Sequence, residues 1–229
     1  MVVDTSRSGQ ATAVLCSAGL DSAVLVAHEA QSAPVVPVYV SVGLAWEASE
    51  RRMLRRLLAA PVFAGVAPVE LLAFDMRDVY APTHWAVRGV PPAYDTPDED
   101  VYLAGRNLVL LTKAGVLCAQ RRIPRIALGP LAGNPFPDAT DAFFAAMGRA
   151  LSLGLAYDLE IAAPFSRMRK DEVIRLGIGL GVPFDLTLSC MNPHADAHCG
   201  RCSKCRERRD AFTLAGLDDP AQYVASSPR

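Results

Sequence analysis

The sequence predicts an α/β fold built on a doubly wound parallel sheet, and three observations carry that expectation. Short, nearly continuous apolar runs alternate with segments of helical pattern. A turn of small residues, Ser17-Ala18-Gly19-Leu20-Asp21-Ser22, joins the first such run to the first helical segment. Four of the six cysteines crowd into positions 190–205, close to the end of the chain. Apolar runs without polar alternation suit strands covered on both faces, as parallel strands with crossover helices are.

In chain order, strands are expected over 12–16, 35–42, 69–74, 125–129 and 159–162. Helices are expected over 21–31, 47–60, 105–120, 141–153, 170–179 and 205–214. The run Val35-Val36-Pro37-Val38-Tyr39-Val40 is the clearest strand of the buried kind. Residues 80–100 are rich in Pro, Asp and aromatic residues, have no clear period, and are long for an idle connection. Such a stretch serves as a lid or binding loop, or is disordered. The tail after Asp218 reads as weakly structured. The expected division is a nucleotide-binding domain over 1–185 carrying a metal-binding segment over 186–229.

Composition sets outer limits. The charges nearly cancel, with 23 basic and 24 acidic residues and a net charge of −1. Sequence-independent nucleic-acid binding, which needs a basic surface, is therefore not expected, although a local basic patch remains open. No apolar run approaches the roughly 18 residues of a membrane span. Arg7 before the apolar run 11–16 imitates a signal peptide, but Asp21 interrupts the pattern early. Clustered cysteines suit a metal site in a reducing cytoplasm better than a secreted disulfide framework.

At 17–22 a strand, a small-residue turn and a helix start form the parts of an anion site: converging backbone N–H groups and the positive end of a helix dipole. Ser17 and Ser22 add hydroxyls, and Gly19 lets the backbone approach a phosphate. Asp21 is out of place beside an anion unless it holds Mg²⁺ on the same phosphates. No Gly-Lys-Ser/Thr follows, so the loop is not a Walker loop. It resembles the Ser-Gly-Gly-x-Asp-Ser loop of the PP-loop ATP pyrophosphatases, which hold the β- and γ-phosphates and cleave at the α-phosphorus. Ala18 stands where that family has its first Gly, which a methyl tolerates if φ there is negative. The plainer alternative is a tight strand-to-helix turn with an ordinary cap.

Cys190-x8-Cys199-x2-Cys202-x2-Cys205 offers four thiolates to one tetrahedral Zn²⁺, with Gly200 permitting the turn between ligands. Four thiolates leave no open position, so the zinc is expected to be structural. A redox Cys-x-x-Cys, an iron–sulfur cluster, or replacement of one thiolate by His194 or His198 are the alternatives. Arg201, Lys204, Arg206, Arg208 and Arg209 read as a solvated face around this site, and Cys16 and Cys118 as small buried hydrophobes.

Three further segments join these. Gly105-Arg106-Asn107 opens a helix, Pro137-Asp138 ends a loop beginning at Gly129, and Lys170-Asp171-Glu172 starts another helix. In this order, with Ser189-Cys190 and Cys199-Gly200-x-Cys202-x-x-Cys205, they resemble the 7-cyano-7-deazaguanine synthase family across nearly the whole chain. The resemblance implies a Rossmann-like fold of the adenine-nucleotide alpha-hydrolase kind. It implies conversion of 7-carboxy-7-deazaguanine, ammonia and ATP to a nitrile, with AMP and pyrophosphate released. It assigns Ser17, Ala18, Gly19, Leu20, Asp21, Ser22, Asn107 and Asp138 to ATP and Mg²⁺, and Asp21, Arg106 and Lys170 to catalysis. It also implies a cytoplasmic homodimer acting on a small deazapurine. The strand end Val42-Gly43-Leu44-Ala45-Trp46-Glu47 departs from the Tyr-Gly-Gln-Arg-His of bacterial members. Three rival readings remain: a tRNA-modifying PP-loop enzyme, a relative that stops at an amide or conjugate in a modification or defence pathway, and a regulatory nucleotide-binding zinc module.

Overall fold

The computed structural model describes residues 9–224. Arg7, weighed above as part of a leader, lies outside them. The chain runs β1 (Thr12–Leu15), α1 (Leu20–Glu29), β2 (Val35–Ser41), α2 (Glu47–Leu58), β3 (Glu70–Ala73), α3 (Trp85–Arg88), α4 (Arg106–Arg121), β4 (Arg125–Ala127), α5 (Asp141–Leu155), β5 (Glu160–Ala162), α6 (Lys170–Leu180) and α7 (Ser203–Ala215). All five strands are parallel, in the order β3-β2-β1-β4-β5. This is the doubly wound sheet expected from the apolar runs. Element ends differ from the expected ones by one or two residues in most cases, as fraying termini do.

Helix α1 is buried on almost every side, with Ala23, Val24, Leu25, Val26 and Ala27 all shielded. It lies under α6, and the approach is close. A Cβ on Gly177 would fall 2.5 Å from Phe184 and 2.6 Å from Val24. Helix α7 in turn packs on α6, so the C-terminal segment is seated against one of the helices beside the first loop.

One expectation gains detail and one is corrected. The stretch 80–100 contains the short α3 and a 3-10 turn, Asp98–Val101. It is fastened to the cysteine segment by an antiparallel bridge between Ala93 and Cys202 and by a hydrogen bond from Arg206 to the Thr96 carbonyl. The tail after Asp218 is also held, as far as it is described. Asp219 accepts from Arg208 and from the Tyr223 hydroxyl, and His198 pairs with Tyr223 along the backbone. No helix among the described residues is long and apolar enough to cross a membrane.

Candidate active site

Sheet order fixes where a ligand goes. Strands β1 and β4 are neighbours, and the chain winds away from them in opposite directions, so a crevice opens at their carboxyl ends. Two adjoining basins of about 290 and 340 Å³ fill that crevice. Both are lined by Ser17, Gly19, Asp21, Arg106 and Gly129. The inner basin is walled by strand-end residues such as Leu15, Val38 and Val40; the outer one reaches Trp46, Trp85, Lys170 and Lys204.

The loop at 17–22 is organised before any ligand arrives. Ser22 Oγ donates to the Gly19 carbonyl at 2.9 Å and accepts from the Ser17 N–H at 3.3 Å. Gly19 is the extended N-cap of α1 and has no side chain to cap it, so the first N–H groups of that helix stay available to an anion. The Leu188 N–H donates to the Ala18 carbonyl at 2.9 Å, tying the loop to the start of the C-terminal segment.

Ala18 does not meet the condition set for it from sequence, because its φ is +61°. A left-handed alanine costs about 1–2 kcal/mol. Its methyl, however, is fully buried, which returns about 0.8 kcal/mol. Alanine also has less backbone freedom to lose than glycine, worth about 0.4–1 kcal/mol. The terms nearly cancel. Ala18→Gly is therefore expected to shift stability by less than about 0.5 kcal/mol, whereas the β-branched Ala18→Val should destabilise by about 2 kcal/mol or more. Thermal melts of the two variants check the contrast; equal effects would contradict it.

A row of alternating charges crosses the cleft. Asp21 Oδ2 lies 3.3 Å from Lys170 Nζ, Lys170 contacts Glu207, and Glu207 lies 2.6 Å from Lys204 Nζ. Burial pushes the Asp21 carboxyl above its usual range, against the pull of Lys170. Burial works against the Lys170 charge, but Asp21 and Glu207 outweigh it and raise the ammonium's pKa. Burial likewise opposes charge on Glu207, and Lys170 and Lys204 hold it down to about 2. Among the described residues, four buried side-chain polar atoms make no hydrogen bond. Three of them, Asp21 Oδ1, Asp98 Oδ1 and Arg106 Nε, belong to residues lining the outer basin. Buried polar atoms are ordinarily satisfied, so these three atoms are free to meet water or a ligand.

Arg106 is aimed from the first turn of α4. Asp138 positions that turn: its carboxylate accepts from the Asn107 N–H at 3.1 Å, and its carbonyl accepts from Asn107 Nδ2 at 2.9 Å. Asn107 lines the inner basin, but Asp138 lies outside both basins, in a small recess with Tyr102 and Phe136. The structure thus brings Ser17, Gly19, Leu20, Asp21, Arg106 and Lys170 to the outer basin, with Ser22 and Asn107 beside them in the inner one. Asp138 stands behind Asn107.

Sequence reasoning missed Glu50, Trp85, Asp98 and Glu207, all of which line the outer basin. Glu50 is buried and accepts from the Tyr39 hydroxyl at 3.0 Å. Burial pushes its carboxyl up to about 7, although Arg106 and the Tyr39 hydroxyl favour the charged form. In the unfolded chain the group gives up its proton near its ordinary value of 4.5. Stability from this site is therefore full below that value, falls as pH rises towards 7, and is flat beyond. Glu50→Gln should raise stability at pH 8 by on the order of 1–3 kcal/mol and by less near pH 5. Melts of the ligand-free protein at both pH values test this; a shift that does not depend on pH would contradict it.

The four cysteine sulfurs lie within 4.8 Å of one another, all buried and none in a disulfide. Cys199 and Cys205 are 4.0 Å apart, and Cys202 and Cys205 are 3.5 Å apart. A tetrahedron with Zn–S bonds of about 2.3 Å has edges of about 3.8 Å. Backbone N–H groups of Asn192 and Cys199 point at Cys190 Sγ, which suits a thiolate. Gly200 takes a φ of +73° in the turn between ligands. His198 is not one of the cluster: its Nε2 accepts from the Ser189 N–H. Cys16 and Cys118 are buried thiols, pushed up by burial to about 11 and about 12.

The basic residues after Cys199 do not form one solvated face. Arg208 is buried and clasps Asp219, the Thr187 hydroxyl and the Phe184 carbonyl. Lys204 lines the cleft.

A parallel doubly wound sheet with a pyrophosphate-type loop at its switch point and a four-thiolate knot beside it defines a Rossmann-like PP-loop protein. Residues 11–216 match the family described as queuosine biosynthesis protein QueC. The 7-cyano-7-deazaguanine synthases of Methanopyrus kandleri and Methanoculleus marisnigri are 30% and 34% identical, covering 93% and 91% of this chain and 98% and 96% of theirs. That of Anaeromyxobacter dehalogenans is 32% identical over 98% of this chain and 100% of its own. The chain belongs to the QueC family.

Proposed function

We propose that the chain converts 7-carboxy-7-deazaguanine, ammonia and ATP to 7-cyano-7-deazaguanine, releasing AMP and pyrophosphate. The observation that carries this reading is the pairing of a preorganised anion cradle with an open, buried carboxylate oxygen of Asp21 at the sheet's switch point. A carboxylate is a poor electrophile, so its oxygen first attacks the ATP α-phosphorus, giving an acyl-adenylate and pyrophosphate. Ammonia displaces AMP and leaves the amide. The amide oxygen is adenylated by a second ATP, and loss of AMP gives the nitrile.

The chain's residues act by holding charge. The helix-start N–H groups with Ser17 and Ser22 receive the leaving pyrophosphate. Arg106, between the basins, neutralises the α-phosphate, and Lys170 sets the position of Asp21. Asp21 would hold Mg²⁺, which supplies further neutralisation of the phosphates. Asn107 and Asp138 fix the start of α4, and with it Arg106. Cys190, Cys199, Cys202 and Cys205 suit a structural Zn²⁺. On this reading, 1–185 is the ATP-using domain and 186–229 a zinc-bound segment packed on it. The homodimeric state rests on the family resemblance, and the cytoplasmic location on the clustered cysteines of a reducing compartment.

Mass spectrometry of 7-carboxy-7-deazaguanine incubated with the protein, ATP, Mg²⁺ and ammonium is expected to find the nitrile. An amide as sole product would point to a relative that stops one step early, and an unchanged acceptor would contradict the reading.

A further inference from the structure

The outer basin has a wall and a carboxylate without a hydrogen bond that the phosphate chemistry does not use. Trp46, just before α2, and Trp85, in α3, are stacked with ring centroids 5.8 Å apart and planes 12° from parallel. Their two segments are locked together by the Ala45 N–H, which donates to the Ala86 carbonyl at 2.9 Å. Both residues line the outer basin, Trp46 with only 7% of its surface exposed. Asp98, at the start of the 3-10 turn Asp98–Val101, lines the same basin.

The carboxylates of this basin are not equivalent. Glu50 is engaged by the Tyr39 hydroxyl and Glu207 by two lysines, while Asp21 is held by Lys170 through Oδ2 and keeps Oδ1 open for the Mg²⁺ of the proposed reaction. Asp98 Oδ1 is buried and makes no hydrogen bond. Lys204 Nζ and Arg206 Nη2 pair with it only loosely, at 4.0 Å and beyond hydrogen-bonding reach, and the Asp98 side chain is 44% exposed to the basin and solvent. An ionised carboxylate only accepts, so the partner missing from Asp98 is a donor.

We infer that Asp98 and the Trp46–Trp85 pair form the acceptor subsite, in which a guanine-type heterocycle lies against the tryptophans and offers its ring N–H and 2-amino group to Asp98. This rests on the reaction proposed above. The two reactants must meet where the basins join, at Asp21 and Arg106. With adenosine against the strand-end residues Leu15, Val38 and Val40 of the inner basin, the acceptor ring falls to the outer one. A flat ring suits an aromatic wall. The paired donors on one edge of a guanine-type ring match a carboxylate, and a ring lacking the 2-amino group does not. Asp98 is then a specificity-determining residue, and the irregular stretch 80–100 is a binding loop whose position depends on the cysteine segment it is fastened to.

The two tryptophans are the only ones in the chain, so intrinsic fluorescence reads the subsite directly. In the presence of α,β-methylene-ATP, 7-carboxy-7-deazaguanine is expected to quench the emission. The analogue without the 2-amino group should bind about 10- to 100-fold more weakly. Asp98→Asn should weaken binding of the parent acceptor to a similar degree and abolish most of that discrimination. The affinity for α,β-methylene-ATP, read by calorimetry, should stay within about twofold, since Asp98 does not line the inner basin. If the variant still discriminates between the two rings, or loses the ATP analogue as well, the subsite assignment is wrong even where wild-type protein turns the acceptor over. Wild-type protein that neither binds nor converts the acceptor overturns both the subsite and the reaction.

Discussion

Asp21→Asn is expected to lower turnover by about 10²- to 10³-fold while the protein stays folded. Asp21 holds one oxygen against Lys170 and leaves the other buried without a hydrogen bond. An amide keeps the shape but loses the charge that would hold Mg²⁺ against the phosphates. Lys170 is not stranded, because Glu207 remains beside it. Burial already disfavours the Asp21 carboxylate, so the neutral side chain removes a cost and the melting temperature should not fall. Initial rates at saturating ATP over a range of Mg²⁺, with a melt on the same sample, separate the two effects. Full activity in the variant would remove Asp21 from the metal role.

Removal of the metal is expected to do more damage than any single substitution in the cleft. Structural zinc sites contribute about 10–16 kcal/mol to the folding of the segment that binds them, as much as the whole stability of an ordinary domain at about 5–15 kcal/mol. The loss would not stay local. Helix α7 begins within the ligand set and carries Lys204 and Glu207 into the cleft. Residues just before Cys190 hold the phosphate loop through the Leu188-to-Ala18 hydrogen bond. The 80–100 stretch is pinned to Cys202 and Arg206. Chelation or Cys199→Ser should therefore lower the melting temperature by about 10 °C or more, open the segment around 190–205 to proteolysis, and abolish ATP binding. Fresh protein should contain close to one equivalent of zinc. Chelated protein that keeps both its melting temperature and its nucleotide affinity would refute the coupling.

The sheet and the helices were legible because each strand is a short apolar run and each crossover a helical pattern, the two periods that parallel α/β units impose. The cysteine cluster was legible for a different reason: a shared metal site needs particular residue types at fixed spacing, which tertiary context cannot disguise. The rest of the site was hidden by its surroundings. Glu50 sits in the charged run Glu47 to Arg56 and reads as one more surface residue, yet the helix turns it into the cleft. Glu207 is lost among arginines in the same way. Trp85 and Asp98 lie in a stretch with no period, where position depends on contacts with residues 100 or more positions later. The hydrogen bonds of Asp138 to Asn107 could not be read from sequence, because the two residues lie on different elements. The sign of φ at Ala18 is a property of the turn as a whole, and no residue type there announces it.

The central claim is that the acceptor's own oxygen attacks the α-phosphorus of ATP held by the loop at 17–22. It is tested most directly with 7-carboxy-7-deazaguanine carrying heavy oxygen at both carboxylate positions. The account predicts that both atoms leave in AMP, one in each of two molecules, with unlabelled pyrophosphate. Label in inorganic phosphate together with ADP, or AMP carrying only solvent oxygen, would contradict it.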